Sequence, residues 1–144
     1  MPYARLFFHI VWTTESRAPL ILPRFEADLY RLIASKCGGM KGQCLAVNGM
    51  PDHVHVLTTM PTNIAIGDFV KGLKGSSSRF VHFESEVPFK WRRGYGIFTV
   101  SERNLDAAIS YVERQKEHHQ NGTAISRFER VFEENDTELT DDDR

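Results

Sequence analysis

Residues 51–57, PDHVHVL, alternate imidazole and aliphatic side chains. The β-branched valines favour an extended backbone, on which successive side chains point to opposite faces. His53 and His55 would then share one face, about 6.5–7 Å apart along the strand, and two imidazoles at that spacing can converge on one ion at about 2.1 Å each. We predict a strand that seats Val54 and Val56 in the core and offers two ligands of a metal site, with a third ligand from elsewhere. Histidines that hold no ligand are the alternative.

Further strands and helices are predicted on both sides of this histidine strand. The connection at 49–52 is short, so the preceding strand should form an antiparallel hairpin with the histidine strand. The predicted strands are 3–12, 43–49, 53–60 and 94–100, and the predicted helices are 23–37, about 64–80 and about 102–118. The order β-α-β-β-α-β followed by a helix matches an α+β, ferredoxin-like antiparallel sheet with an added C-terminal helix. In that pattern the histidine strand is central, and its histidines can face away from the first two helices.

Charge is distributed unevenly along the 144 residues. Residues 129–144 carry eight acidic and two basic side chains, whereas residues 1–128 carry sixteen basic and eleven acidic ones. We predict a single domain over 1–128, followed by an acidic C-terminal tail over 129–144. The moderately basic domain permits a polyanion as partner without demonstrating one.

The composition is that of an ordinary globular protein, with 41% hydrophobic and 26% charged residues. No apolar run approaches the ~20 residues of a membrane span, and no secretory signal is visible at the N-terminus. We therefore expect a cytoplasmic protein with no membrane partner. Cys37 and Cys44 resemble neither a disulfide framework nor a CxxC site. Free thiols are the simplest interpretation, and a disulfide between these two cysteines is the alternative.

Two further groups of side chains are candidates for function. Tyr111 and Gln115 are four residues apart on the last predicted helix, so they would lie one above the other at the edge of its apolar stripe. A tyrosine there can be no more than an aromatic at the edge of the core. A second group consists of cations, for which a solvated surface is the simpler explanation and a phosphate backbone the functional one. These cations are Lys71, Lys74, Arg79, Arg92 and Arg93.

In combination, these motifs resemble the single-tyrosine HUH transposases of simple bacterial insertion sequences, the IS200/IS605 type. Five stretches carry the resemblance, in the same order and over nearly the whole chain. They are FHIVWTT at 8–14, GMPDHVHVL at 49–57, FVKGLKGSSSRF at 69–80, GYGIFTVS at 94–101 and YVERQKEHH at 111–119. An HxH strand alone is a weak signal, whereas PDHVH followed by a helical YxxxQ is a joint signature.

The resemblance implies a complete catalytic site. His53, His55 and Gln115 would bind Mg²⁺ or Mn²⁺. Tyr111 would attack a phosphodiester of single-stranded DNA, giving a 5′-phosphotyrosine link and a free 3′-hydroxyl. Members of the family are homodimers whose active sites can combine the tyrosine of one subunit with the histidines of the other. They recognise DNA ends that fold as hairpins in single strands, and the cations above would contact the DNA backbone.

Four residues beside these motifs receive lesser roles. We expect His9, in the first predicted strand, to be structural. His118 and His119 are expected to be structural or exposed to solvent rather than metal ligands. Asp52 could orient a ligand histidine or complete the hairpin turn, and we favour the turn.

Two other functions stay open beside the transposase. A related HUH nuclease, such as a replication initiator or a relaxase, would share the chemistry, although the small size and the YVERQ spacing favour the transposase. A DNA-binding dimer that no longer cleaves DNA is the second alternative, and the four intact site residues argue against it. A nucleotide hydrolase with an HxHxH strand is excluded because residue 57 is Leu.

Overall fold

The structure, a computed structural model, describes residues 3–122 and 124–125 of the chain. The acidic segment 129–144 lies outside the described residues. The strands are β1 (Phe7–Thr13), β2 (Cys44–Met50), β3 (His53–Thr59) and β4 (Gly96–Val100), and the α-helices are α1 (Pro23–Gly39), α2 (Ile66–Ser85), α3 (Leu105–Glu113) and α4 (Gln115–Asn121). Short 3-10 turns occupy Glu15–Arg17 and Glu102–Asn104.

The four strands form one antiparallel sheet in the order β2-β3-β1-β4. This is the predicted ferredoxin-like arrangement, with the histidine strand β3 in a central position beside β1. The register places Val11 of β1 opposite His55 and Thr13 opposite His53. Both central strands are paired along their whole length, so the histidine side chains stand on a rigid part of the fold.

One face of the sheet, here the core face, carries Ile10, Trp12, Val54 and Val56. These four side chains are fully buried and belong to a single hydrophobic cluster with α1 and α2. The two helices supply the remainder of that cluster through Phe25, Leu29, Ile33, Phe69, Val70 and Leu73. Apolar residues three and four apart on each helix face the sheet, which is the pattern of an amphipathic helix on a sheet.

The opposite face, here the site face, carries His9, His53, His55 and Leu57. Helix α3 covers part of it, because Val112 packs with Leu57 in a second, smaller hydrophobic cluster. The histidines therefore point away from α1 and α2, as predicted. The fold has three layers, with two helices on the core face, the sheet in the middle, and the shorter α3 and α4 on the site face.

Two predicted boundaries were wrong. The first strand begins at Phe7 rather than Tyr3, because Phe7 pairs with Thr59 and Val100, the last residues of β3 and β4. Residues 3–6, the described residues before Phe7, are not in a strand. The last predicted helix is not continuous either: Arg114, with φ −106° and ψ 27°, separates α3 from α4.

One further expectation, that of free thiols, is met within the described residues. Cys37 and Cys44 are free thiols. Among the helices of the described part of the chain, none is long and apolar enough to cross a membrane.

Candidate metal and nucleophile site

The β2–β3 hairpin fixes the position of both strand histidines. Its backbone is closely packed at Gly49, where an added Cβ would lie 2.2 Å from the carbonyl oxygen of His53. Only glycine allows that approach, so the hairpin can close directly before the histidine strand. His53 is 3% exposed and His55 is fully buried. Buried imidazoles need polar partners, and each of these has one.

In both histidines the polar partner contacts the Nδ1 atom of the ring. Asp52 Oδ1 lies 2.7 Å from His53 Nδ1, and His9 Nε2 lies 2.7 Å from His55 Nδ1. An imidazole whose Nδ1–H donates to such a partner is left with a lone pair on Nε2, which is the usual arrangement of a metal-bound histidine. The preference for Asp52 as a turn residue was therefore wrong for its side chain. Its backbone carbonyl accepts from the N–H of Thr14 at 2.9 Å, which continues the pairing of β1 with β3.

Helix α4 brings two more ligand atoms to the same place. His119 Nε2 lies 3.2 Å from His53 Nε2 and 3.2 Å from Gln115 Oε1. The ligand nitrogens of His53, His55 and His119 lie within 4.8 Å of one another. Two atoms that are each about 2.1 Å from one ion, at an angle of roughly 90–109°, are about 3.0–3.4 Å apart. The two spacings of 3.2 Å at His119 fit ligands that share one divalent cation. The 4.8 Å extent of the three-histidine group is wider than the roughly 4.2 Å that two such ligands can span, so the group would have to contract around an ion.

His119 is the residue that the sequence interpretation missed, because it was expected to be structural or exposed. The sequence did contain a signal. Gln115 and His119 are four residues apart on one helix, so a helix that presents Gln115 to the metal also presents His119. His118 takes a different place, stacked on the ring of Tyr111 with centroids 4.7 Å apart.

Tyr111 lies near the C-terminal end of α3 and is 6% exposed. Its ring centroid is 6.0 Å from that of His55 and 6.1 Å from that of His9, so it packs directly beside the histidines. Its hydroxyl accepts a hydrogen bond from the backbone N–H of Ile125 at 2.9 Å. A cavity of about 900 Å³ adjoins the tyrosine and is lined in part by His9, Arg114 and His118. The tyrosine is thus next to open space large enough for a nucleotide.

Four of the predicted DNA-contacting cations line two adjoining pockets, Lys71 and Lys74 in one and Arg92 and Arg93 in the other, with Lys90 shared by both. Lys71, Arg79 and Arg93 are exposed, and Arg92 is half-buried. The ammonium of Lys74 donates to the carbonyls of Arg92 and Gly94 at 2.9 and 2.8 Å, so it also holds the segment that follows α2.

A smaller pocket of about 310 Å³ collects four cations, two of which were not among the predicted DNA contacts. It is lined by Arg92 and Arg93 together with Arg17 and Lys90. The Arg17 guanidinium is 3.7 Å from the carboxylate of Asp52, the partner of His53. The cationic pocket therefore adjoins the metal site. No local pattern in the sequence indicated that residues 17 and 90 would meet.

The described residues thus combine an antiparallel ferredoxin-like sheet, a group of three histidines that could hold a metal ion, and a buried tyrosine beside them. Comparisons with known proteins identify the family. The family described as "Transposase IS200 like" matches residues 3–115. The ISDra2 transposase TnpA of Deinococcus radiodurans is 33% identical over 122 residues, which cover 77% of this chain and 84% of the relative. The transposase for insertion sequence element IS200 of Salmonella typhimurium is 25% identical, covering 83% and 82%.

Solved structures give the same result. A crystal structure of a proposed transposase from Deinococcus radiodurans has a TM-score of 0.64 and 27% identity, covering 80% of this chain and 95% of that one. A REP-associated tyrosine transposase bound to a REP hairpin has a TM-score of 0.60 over 86% of this chain and 76% of that one, and at 12% identity it supports the fold alone. The chain belongs to the IS200-like transposase family, and the predicted resemblance is confirmed.

Proposed function

We propose that this transposase cleaves and rejoins single-stranded DNA at insertion-sequence ends through a 5′-phosphotyrosine intermediate, using Mg²⁺ or Mn²⁺. The observation that carries the proposal is the convergence of His53, His55, His119 and Gln115 beside Tyr111. The reaction class is proposed from the family. The histidines and Gln115 are the proposed metal ligands, and Tyr111 is the proposed nucleophile.

The donor set suits a divalent metal. Three imidazole nitrogens and one amide oxygen are softer than the all-oxygen shell that Mg²⁺ prefers, so Mn²⁺ fits them better. A bound ion would act as a Lewis acid on a non-bridging phosphate oxygen. The chain's own contribution is to orient the ligands, with Asp52 holding His53 and His9 holding His55.

Tyr111 provides the nucleophile. In the proposed step its phenolic oxygen bonds to phosphorus, the bond from phosphorus to the 3′-oxygen breaks, and that oxygen leaves as a hydroxyl after gaining a proton. The phenol loses its own proton, which a base or the solvent must receive. The energy of the phosphodiester is retained in the tyrosyl ester, so the reverse reaction rejoins DNA without a nucleotide cofactor. Before attack, the hydroxyl must leave the N–H of Ile125.

The cationic pocket suggests a path for the strand. Arg17, Lys90, Arg92 and Arg93 lie beside Asp52, where they can bind phosphates next to the scissile one. Lys71, Lys74 and Arg79 on α2 extend the basic surface away from the site. The related REP transposase was solved with a hairpin, and we propose that hairpin-bearing single strands are also bound here, by a homodimer acting in the cytoplasm.

The deciding experiment traps the covalent intermediate. The protein is incubated with Mn²⁺ and a labelled single-stranded hairpin taken from the flanks of its own gene, and then run on a denaturing gel. We expect a protein–DNA adduct that is lost in Tyr111→Phe and in the presence of a chelator. Tyr3→Phe is the matched control, because Tyr3 is 89% exposed, and it should form the adduct normally.

Three results would count against the proposal. Cleavage that survives Tyr111→Phe would mean that another group is the nucleophile. An adduct that forms fully in chelator would remove the metal from the mechanism. Tight hairpin binding with no adduct would instead support a DNA-binding dimer that does not cleave.

A further inference from the structure

Helix α4 is held on the site face in an unusual way. It has only seven residues, QKEHHQN, and none of them is aliphatic. A helix this short is not stable by itself in water, so tertiary contacts must hold it. Gln115 is its only buried residue. The usual anchor of a surface helix, an apolar stripe, is therefore missing from the element that carries Gln115 and His119.

Lys116 supplies a polar anchor instead. Its ammonium donates to Glu26 Oε2 at 2.8 Å, to the carbonyl of Gly49 at 2.9 Å and to Asn48 Oδ1 at 3.2 Å. It also lies 5.8 Å from the ring centroid of Tyr30. The partners come from α1 and from the β2–β3 hairpin, so one side chain joins three elements. These five residues are called the Lys116 cluster below.

The cluster is pre-organised around the ammonium. The Tyr30 hydroxyl donates to Glu26 Oε2 at 3.0 Å, and burial, followed by the Glu26 charge, raises the pKa of Tyr30 so that the hydroxyl keeps its proton. Asn48 Nδ2 donates to the carbonyl of Glu113, the last residue of α3, at 2.8 Å. Asn48 thus contacts Glu113 before the break at Arg114 and Lys116 after it. The contacts of Lys116 hold α4 at a fixed angle to α3.

We propose that Lys116 is a positioning residue, which docks α4 on the hairpin so that Gln115 and His119 reach the metal ion. The proposal rests on the metal site of the proposed function. The hairpin that accepts the Lys116 ammonium at Gly49 also carries His53 four residues later. Ligands from α4 and from β3 are therefore held together by the Lys116 cluster before any metal binds.

Hydrogen exchange on the metal-free protein tests the docking itself. Lys116→Met keeps the aliphatic stem and removes the charge, and it should speed exchange of α4 amides, such as that of His118, by roughly tenfold or more. Glu26→Gln, on α1, should speed the same amides in the same direction. The control is Glu117→Gln, which removes the exposed pair between Glu117 of α4 and Arg114, the residue before that helix, and should leave exchange nearly unchanged. Equal exchange in Lys116→Met and the control would overturn the docking.

Manganese affinity, measured by the EPR signal of free Mn²⁺, tests the positioning. Lys116→Met should weaken binding by about tenfold, as losses of supporting contacts around metal ligands do, while Glu117→Gln should stay within about twofold. The direction is informative, because removing a nearby cation would by itself strengthen binding of a metal cation. Unchanged or tighter binding in Lys116→Met would overturn the positioning role. If the wild-type protein binds no Mn²⁺, the metal site of the proposed function is wrong, and hydrogen exchange still decides whether Lys116 docks α4.

Discussion

The two faces of β3 have the same burial and different neighbours. Val54 and Val56 are fully buried on the core face, and His53 and His55 are at most 3% exposed on the site face. The valines belong to the hydrophobic core cluster. Each histidine instead has a polar partner within 2.7 Å. Burial alone therefore does not separate a structural residue of this strand from a ligand, whereas the chemistry of the neighbours does.

This difference follows from the cost of burying polar groups. A buried imidazole without a hydrogen bond would destabilise the fold by about 1–3 kcal/mol, so its ring nitrogens must be satisfied. On the site face, the Nδ1 atoms of His53 and His55 are satisfied by Asp52 and His9. The core face thus contributes stability, whereas the site face holds a group of potential metal ligands.

The largest expected effect is the loss of Mn²⁺ binding when a histidine of the site face is replaced. His53→Ala removes the ligand that lies 3.2 Å from His119, so we expect loss of measurable Mn²⁺ binding and of DNA adduct. The free energy of unfolding should fall by only about 1 kcal/mol, because the remaining partner, Asp52, is 29% exposed in its side chain and can be solvated. Mn²⁺ titration and urea unfolding of the same preparation measure both quantities. A variant that still binds Mn²⁺ with wild-type affinity would show that His53 is not a ligand.

The neighbouring core residue should give the opposite pattern. Val56→Ala leaves a small cavity among fully buried side chains, so we expect a loss of about 2 kcal/mol in the free energy of unfolding. Mn²⁺ affinity and adduct formation by the folded protein should stay close to wild type. Urea unfolding and Mn²⁺ titration again provide the measurements. Loss of metal binding at full stability would mean that the two faces are not separate in function.

Much of the fold was accessible from local patterns. Alternation in PDHVHVL predicted the strand and the opposite directions of its side chains, and the short connection at 49–52 predicted the hairpin. Pro23 marked the first residue of α1 correctly. The order of these elements was then sufficient to predict the sheet, because the ferredoxin-like pattern leaves a single central place for the third strand.

The parts that were missed depend on contacts between distant residues. The stretch 111–119 contains no glycine or proline, so its pattern predicts one continuous helix. The break at Arg114 is accompanied by contacts from Asn48, 65 residues away, to Glu113 and from Glu26, 90 residues away, to Lys116. Such partners are invisible in a local pattern. The pocket that joins Arg17 to Arg92 was missed for the same reason.

Replacing Asp52 should have the smallest effect on Mn²⁺ binding, and it tests whether the Asp52 carboxylate orients His53. Its carboxylate contacts His53 Nδ1, whereas its backbone carbonyl accepts from the N–H of Thr14, the residue after β1. Asp52→Asn should therefore preserve the turn and the stability while weakening Mn²⁺ binding by about tenfold, because a neutral amide is a poorer acceptor for a metal-bound imidazole. Arg17→Gln is the control, since Arg17 contacts the other carboxylate oxygen at 3.7 Å and not the histidine. If Asp52→Asn instead destabilised the fold and left Mn²⁺ affinity unchanged, the carboxylate would be part of the turn, and orientation of His53 would rest on β3 alone.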